Sequence, residues 1–391
     1  EEEDIRSLPL PSELKSRLLG AGLCLVRHCL LTPPAELAAR LGQPLDQCRR
    51  MQLTVRDALA RCTNDGGGGC GGFRLPDTAE TLLLDVARSR AVPSMSASVD
   101  RLLQGGLSLC QLTELAGSAG SGKTQLCMQL CASVQLPAAL GGLQGGAVYL
   151  DTEGSFSPRR QAQIASGLLL HCRRLADRMR QRRLPPGDDD DGNGVEGGGD
   201  GGDGPLTKEH LKALNEVSSL TVEQVMSNIY YFRCLSHVQL CAFAHESLER
   251  FLVGHPHVRL IVLDSIASPF RYEFDNAGQR NRQLAELAAL LTRLAVSCRL
   301  AVLCTNQMTT RFGLTDAADS RVEPALGPSW CHVCNIRLVI ERLEGGGGGG
   351  GCEDQRRRMR VLKHPAVRAG SSAVFQVCAV GVRDAFQDDV S

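Results

Sequence analysis

The sequence predicts an α/β protein with a mostly parallel sheet covered by helices on both faces, preceded by a small all-α domain. Three observations predict it. Residues 7–62 are Leu-rich at helical spacing, with almost no strand pattern. Beyond residue 96, short apolar runs of strand length alternate with helix-length amphipathic runs, the pattern of parallel strands joined by crossover helices. Gly117–Thr124 reads GSAGSGKT, a G-x-x-x-x-G-K-[ST] loop set between the strand-like run Leu112–Ala116 and the helix-like run Gln125–Gln135.

Taken in order, residues 1–62 are expected to form four or five short helices, separated by the turns Gly20-Ala21-Gly22 and Leu41-Gly42-Gln43-Pro44. A helix-hairpin-helix unit gripping a nucleic-acid backbone and a protein-docking bundle both suit this segment. Residues 63–95 are a linker and lead-in, whose first part, TNDGGGGCGGF at 63–73, is flexible by composition. The core spans 96–391. Its expected strands are Leu112–Ala116, Ala147–Leu150, Ile229–Arg233, Val258–Leu263, Leu300–Thr305 and Ile336–Ile340. Helices are expected after Thr124 and around 158–180, 238–253 and 279–298. Arg356–Lys363 and Ala373–Val380 are further strands closing one edge. The Gly-rich segments 184–205 and 345–351 are low-complexity insertions, expected to be disordered.

Composition narrows the function classes. Hydrophobic residues make up 43% of 391, enough for a large core, but aromatics are only 4%, so that core is built from Leu, Ala, Val and Ile. No apolar run reaches the roughly 18–20 residues of a membrane span. The acidic start, Glu1-Glu2-Glu3-Asp4, is not the n-region of a secretory signal, and the missing initiator Met suggests a trimmed chain. Net charge is zero, yet seven acids sit in 184–205 and four in residues 1–4; without them the body carries about eleven excess positive charges, compatible with a nucleic-acid partner. Seventeen cysteines, an odd number, several of them inside apolar runs, read as reduced small hydrophobes. Cys331-His332-Val333-Cys334 has the spacing of half a zinc or redox site, but no second ligand pair stands at finger-like distance.

The phosphate loop carries the first chemistry. Its glycines turn backbone N–H groups inward on a phosphate chain, and the helix that follows aims its positive end at the same anion. Gly117, Ser118, Ala119, Gly120, Ser121 and Gly122 form the cradle, Lys123 reaches the outer phosphates, Thr124 ligates Mg²⁺ and Gln125 follows at the helix start. The expected ligand is a nucleoside triphosphate with Mg²⁺. The apolar run Leu260–Leu263 ends in Asp264, a second metal-holding acid at the C-terminal edge of the sheet. The strand-like Ala147–Leu150 delivers Asp151-Thr152-Glu153, and Glu153 is the candidate that orients and deprotonates water; the bland alternative is a solvated loop acid. Gln307, after Thr305-Asn306, is placed to report the γ-phosphate to residues 308–326, read as a long polar loop without periodicity. Arg271, Arg280, Arg282, Arg311 and Arg321 fall in the two loops expected after these strands and are candidates for DNA contact, solvated surface arginine being the alternative for each. Arg356, Arg357, Arg358, Arg360 and Lys363 would make an electrostatic patch, while Trp330 and His332 suit either an interface or the core.

The order GSAGSGKTQ, YLDTEGSF, LIVLDS, TNQMTT resembles the eukaryotic RecA-like recombinase family, and further segments, SLPLPSELKSRLLGAG, MSNIYYFRC, PALGPSW and FQVCAVGVRD, are similar to its paralogue branch. The resemblance implies a RecA-like ATPase core in which Lys123, Thr124, Glu153, Asp264 and Gln307 take the Walker A, catalytic glutamate, Walker B and sensor positions. It places Arg160 near the adenine and loops 271–283 and 308–326 toward DNA. It implies a slow DNA-dependent ATPase of the nucleus, assembled with sister paralogues, ATP lying between neighbours, and aiding the main recombinase on single-stranded DNA. Where the main recombinase has F-x-x-A in its linker, this chain has Phe73-Arg74-Leu75-Pro76, which favours hetero-assembly. A non-catalytic ATP-holding scaffold and a small-molecule phosphotransferase are the rival readings; no acceptor pocket or lid pattern supports the latter.

Overall fold

The computed structural model describes residues 4–58 (except 49, 53, 56 and 57), 91–181, 216, 219–311 (except 273 and 275), 321–343 and 355–385. The expected linker at 63–73, the Phe73–Pro76 element and both low-complexity insertions lie outside these residues. The chain divides into two units, Glu1–Ala79 and Glu80–Ser391.

In the first unit, helices α1 (Ser12–Gly20), α2 (Val26–Leu31) and α3 (Pro34–Leu41) pack Leu18, Val26, Cys29 and Leu37 against Ile5, Leu8 and Leu23. Pro34 starts α3 at the position where a missing N–H costs nothing, and Gly42 ends it. Helical residues recur from 45 to 58, where Cys48, Met51 and Val55 join the same core. Gln52 donates to the carbonyls of Cys29 and Thr32, both at 2.8 Å, closing the open end of α2.

The second unit is built on a ten-stranded sheet. A short hairpin, β1 (Ala91–Val92) with β2 (Leu107–Ser108), flanks helix α4 (Ala97–Leu102) at its entry. Then come β3 (Leu112–Gly117), α5 (Lys123–Ser133), β4 (Gly146–Asp151), α6 (Pro158–Gln181), α7 (Val222–Ser227) and β5 (Ile229–Arg233). A helical stretch follows as α8 (His237–Ala242), a π-helical turn Phe243–Leu248 and α9 (Glu249–Gly254). The chain continues with β6 (Val258–Asp264), α10 (Ala267–Tyr272), α11 (Ala277–Ser297), β7 (Ala301–Arg311), β8 (Arg321–Pro324), α12 (Gly327–Val333) and β9 (Ile336–Arg342). It closes with β10 (Arg356–Lys363), β11 (Ser372–Cys378) and β12 (Gly381–Asp384). The strand order is β12-β11-β10-β9-β3-β7-β6-β4-β5, with β8 pairing β7. From β9 to β5 every pair is parallel, and β10 to β12 add an antiparallel edge.

Every residue of β3 and β4 is buried, as strands covered on both faces must be. The period of two sorts them. Val148 and Leu150 join Leu287, Leu291, Phe270 and Trp330 on one face. Ala147 and Tyr149 join Leu126, Leu130, Val262 and Leu303 under α5 on the other. That alternation puts a tyrosine beneath the phosphate-loop helix.

Two loop expectations are corrected. Residues 308–326 are not structureless: β7 runs on through the β-branched pair Thr309-Thr310 to Arg311, and β8 returns antiparallel to it, with residues 312–320 outside the description. The segment 271–283 is mostly helix, because Asn276 accepts from the amides of Gly278 and Gln279 and starts α11. The helix α12 was not anticipated; Pro328 sits in its first turn, and the helix buries Trp330.

The end of the chain is tied to the entry of the core. Asp384 accepts from Ser96 Oγ at 2.6 Å and from the amides of Ala97 and Ser98 at 3.0 and 2.9 Å, at the start of α4. Burial pushes its carboxyl up, but the hydrogen bonds from Ser96, Ser98 and Ala97 outweigh burial and hold it below the usual carboxylate range. The stabilisation is therefore present in full above the ordinary aspartate pKa of about 4 and is lost as pH falls through the lower folded value. Asp384→Asn is expected to lower the melting temperature at neutral pH, with the gap to wild type narrowing as melts are repeated below about pH 4. A gap that stays constant into the acid range would contradict the assignment.

Candidate nucleotide-binding site

Three neighbouring strands bring chemistry to one region of the sheet. β3 ends in the phosphate loop, β6 in Asp264, and β7, which lies between them, carries Thr305, Asn306 and Gln307. The loop backbone demands glycine at two places. A Cβ on Gly117 would lie 2.5 Å from Ser121 Oγ and 2.7 Å from the Ile340 carbonyl, and Gly122 has φ 106° as the residue before α5. Helix α5 begins at Lys123, whose Nζ donates to the carbonyls of Gly117 and Ser118 at 2.8 and 2.9 Å. Burial lowers the Lys123 pKa, with Asp264 and Glu153 opposing. Gly120, Ser118 and Ala119 stand exposed at the mouth of the loop, and the Ser121 side chain is buried behind it. A turn of backbone amides, a helix N-terminus and an ammonium make a cradle that fits a triphosphate.

Asp264 is the centre of the metal half. It is 2% exposed and accepts four hydroxyls. Thr124 Oγ1 and Tyr149 OH, each at 2.7 Å, and Ser155 Oγ at 3.1 Å donate to Oδ2, and Thr305 Oγ1 donates to Oδ1 at 2.5 Å. The Thr124 hydroxyl and this carboxylate form an all-oxygen pair that suits Mg²⁺.

Glu153 is exposed beside them. Its Oε1 accepts from Ser265 Oγ and, at 2.7 Å, from Gln307 Nε2. The Gln307 carbonyl oxygen accepts from Arg271 Nη1 at 3.0 Å. A line Ser265–Glu153–Gln307–Arg271 thus joins the segments after β4 and β6, and the middle of β7, to helix α10. The loop that presents Glu153 is folded by Asp151, which is fully buried. Asp151 accepts from the amides of Glu153, Gly154, Ser155 and Phe156, from Tyr231 OH at 3.1 Å and from Arg233 Nη1 at 3.0 Å.

The remaining candidates are placed as follows. Arg160 donates to Gln125 Oε1 at 2.7 Å and to the carbonyls of Cys378 and Ala379 at 2.6 Å, linking the loop helix to the β11–β12 turn. Arg280 lies near the start of α11 and donates to its neighbour Asn281; Arg282 is exposed, 3.5 Å from Glu286. Arg311 and Arg321 face each other as a backbone pair in the β7–β8 ladder. The basic run on β10 is not a field of free cations, since three of its members have partners within the chain. Arg357 Nε donates to the Ser121 carbonyl at 3.0 Å, Arg360 pairs with Glu341, and Lys363 donates to the Cys334 carbonyl at 2.7 Å. Trp330 is a core residue. Cys331 donates to the Gly327 carbonyl and Cys334 is buried, and burial pushes both thiols up.

Sequence reasoning missed Tyr149, Ser155, Ser265, Thr305 and the anchoring role of Asp151. The one available signal was Tyr149 itself, a phenol at a position that alternation assigns to the core, which requires a buried partner for its hydroxyl.

A phosphate loop after a central parallel strand, with an acid at the end of a strand two places away, defines a RecA-like nucleotide-binding protein. The Rad51 family model matches residues 88–184 and 191–385, and the chain belongs to that family. It is 32% identical over 385 residues to "DNA repair protein RAD51 homolog 3" of Cricetulus griseus, covering 98% of this chain and 93% of that protein. A protein of the same name from Dictyostelium discoideum is 32% identical over 290 residues, covering 74% of this chain and 64% of that one. "DNA repair protein XRCC3" of Bos taurus is 32% identical over 289 residues, covering 73% and 72%.

Asp151→Ala would leave four amides and a guanidinium without their shared acceptor. The expected loss is about 3 kcal/mol of unfolding free energy in a urea titration; a loss below about 1 kcal/mol would show that the loop holds itself.

Proposed function

We propose that this chain is an ATP-dependent DNA-repair protein, the counterpart of the C paralogue of the recombinase family. It works in a hetero-oligomeric mediator complex with sister paralogues in the nucleus, binds single-stranded DNA and supports recombinase filament assembly. The observation that carries the reading is the bond from Gln307 to Glu153 at the same sheet edge as Lys123, Thr124 and Asp264. It joins the candidate base to the candidate sensor, as a nucleotide-operated switch requires. The repair names of the relatives support the biological setting.

On this reading the cradle from Gly117 to Thr124 holds the triphosphate, with Gln125 and Arg160 on the base side. Bound ATP–Mg²⁺ supplies a compact charge that the next subunit can grip. Lys123 neutralises phosphate oxygens, and Thr124 with Asp264 holds the metal shell. Glu153 takes a proton on its carboxylate from the attacking water, and Gln307 senses the outer phosphate. Gln307 lies on β7, so a change in its bonding is felt by the β7–β8 hairpin carrying Arg311 and Arg321, and through Arg271 by the segment leading to Arg280 and Arg282. These two segments are the proposed DNA contacts. Hydrolysis is slow and loosens the assembly.

Lys123→Ala is expected to abolish ATP-dependent co-purification of sister paralogues. Glu153→Gln is expected to keep ATP and partners while phosphate release, with and without single-stranded DNA, falls by at least about a hundredfold. Unchanged phosphate release in Glu153→Gln would favour a scaffold subunit whose partners carry the hydrolysis.

A further inference from the structure

The nucleotide reading assigns Thr124 and Asp264 to the metal but leaves the other hydroxyls on Asp264 without a role. Tyr149 differs from them in kind. Thr124, Ser155 and Thr305 carry hydroxyls one bond from Cβ, which turn freely to suit whatever is near. The Tyr149 phenol has its oxygen at the end of a rigid ring, and that ring is fixed in the fully buried face beneath α5. Phe156 packs against it with ring centroids 4.7 Å apart, and on its other side Phe156 meets Tyr231 at 5.2 Å. The two tyrosines that flank Phe156 each donate to one of the two buried acids, Tyr149 to Asp264 and Tyr231 to Asp151. This tilted ring cluster thus links the acid of the metal half to the acid that folds the Glu153 loop.

We infer that Tyr149 is a positioning residue for the divalent cation of the nucleotide site: its phenol O–H pins Asp264 Oδ2 and turns the carboxylate toward the Thr124 hydroxyl. This deepens the nucleotide reading and rests on it. The carboxylate offers about four lone-pair sites over its two oxygens. Tyr149 holds one direction at 2.7 Å, which keeps Oδ2 aimed at Thr124, also at 2.7 Å. Without the phenol hydroxyl, Thr305 still holds Oδ1, but Oδ2 keeps only the rotatable hydroxyls of Thr124 and Ser155, and a pre-set metal shell becomes one that must be ordered more fully on binding. The cradle of Gly117–Lys123 does not touch the phenol in any bond of its own, so metal-free nucleotide uptake does not depend on it.

Tyr149→Phe keeps the ring and the stack and removes one oxygen. The full chain, co-purified with its partners, is titrated with ATP in EDTA and then with MgCl₂ at fixed ATP, reading equilibrium binding rather than turnover. The expected result is metal-free ATP affinity within about twofold of wild type and a magnesium midpoint raised roughly tenfold, the scale of losing an outer-sphere partner. An unchanged midpoint in folded Tyr149→Phe overturns the inference. If that variant does not fold, Phe156→Leu, which loosens the phenol without touching Asp264, carries the test: a raised midpoint supports the inference and an unchanged one overturns it. A wild-type complex that takes up no ATP under either condition sinks the nucleotide reading itself, a distinguishable failure.

Discussion

The hydrogen bond from Thr124 to Asp264 is the constraint on which the rest of the core depends. It joins the first turn of α5 to the end of β6, and β7 lies between the two parent strands. A short bond across that gap requires the ends of β3 and β6 to lie close to the same level of β7, and the parallel register places Gly117 beside Gln307 and Leu263 beside Cys304. Burial adds the energetic condition. A carboxylate that is 2% exposed must be supplied with donors, and four hydroxyls from four separate segments do so. The site is in this sense a consequence of satisfying one buried charge.

A second buried charge gives the loop its shape. Asp151 gathers four successive amides, a tyrosine and an arginine, so Glu153 is presented at the rim of a loop folded around a carboxylate. A third, Glu114 on β3, is paired with Arg337 on β9 at 2.5 Å and accepts from Asn306 on β7 at 2.7 Å. Asn306 immediately precedes Gln307, so this pair fixes the strand from which the sensor amide projects. Such pairs contribute less to net stability than to holding one arrangement, because desolvation offsets much of their attraction.

Much of this was legible in the sequence, for reasons that differ by element. The phosphate loop and the strand ending in Asp264 are local patterns, and so are the long helices over 158–181 and 277–297, whose apolar spacing persists for many turns. The β7–β8 hairpin was not legible, because Thr309, Thr310 and Val322 strand propensity is diluted by a polar connection. The hydroxyl ring was not legible either. Thr124, Tyr149, Ser155 and Thr305 share no spacing, and only the strand order brings them to one carboxylate. The basic run on β10 misled in the opposite direction. Adjacent arginines suggest an outward field, but Arg357 turns in to the phosphate loop and Arg360 to Glu341.

The most direct test is isothermal titration calorimetry of the chain in its native assembly with ATP in the presence of Mg²⁺. The geometry predicts saturable uptake of one ATP per copy of this chain, with the gain in affinity from Mg²⁺ lost when Asp264 is replaced by Ala. Absence of any ATP uptake by correctly assembled wild-type material, or uptake that Asp264→Ala leaves untouched, would contradict the assignment of this sheet edge as a nucleotide site.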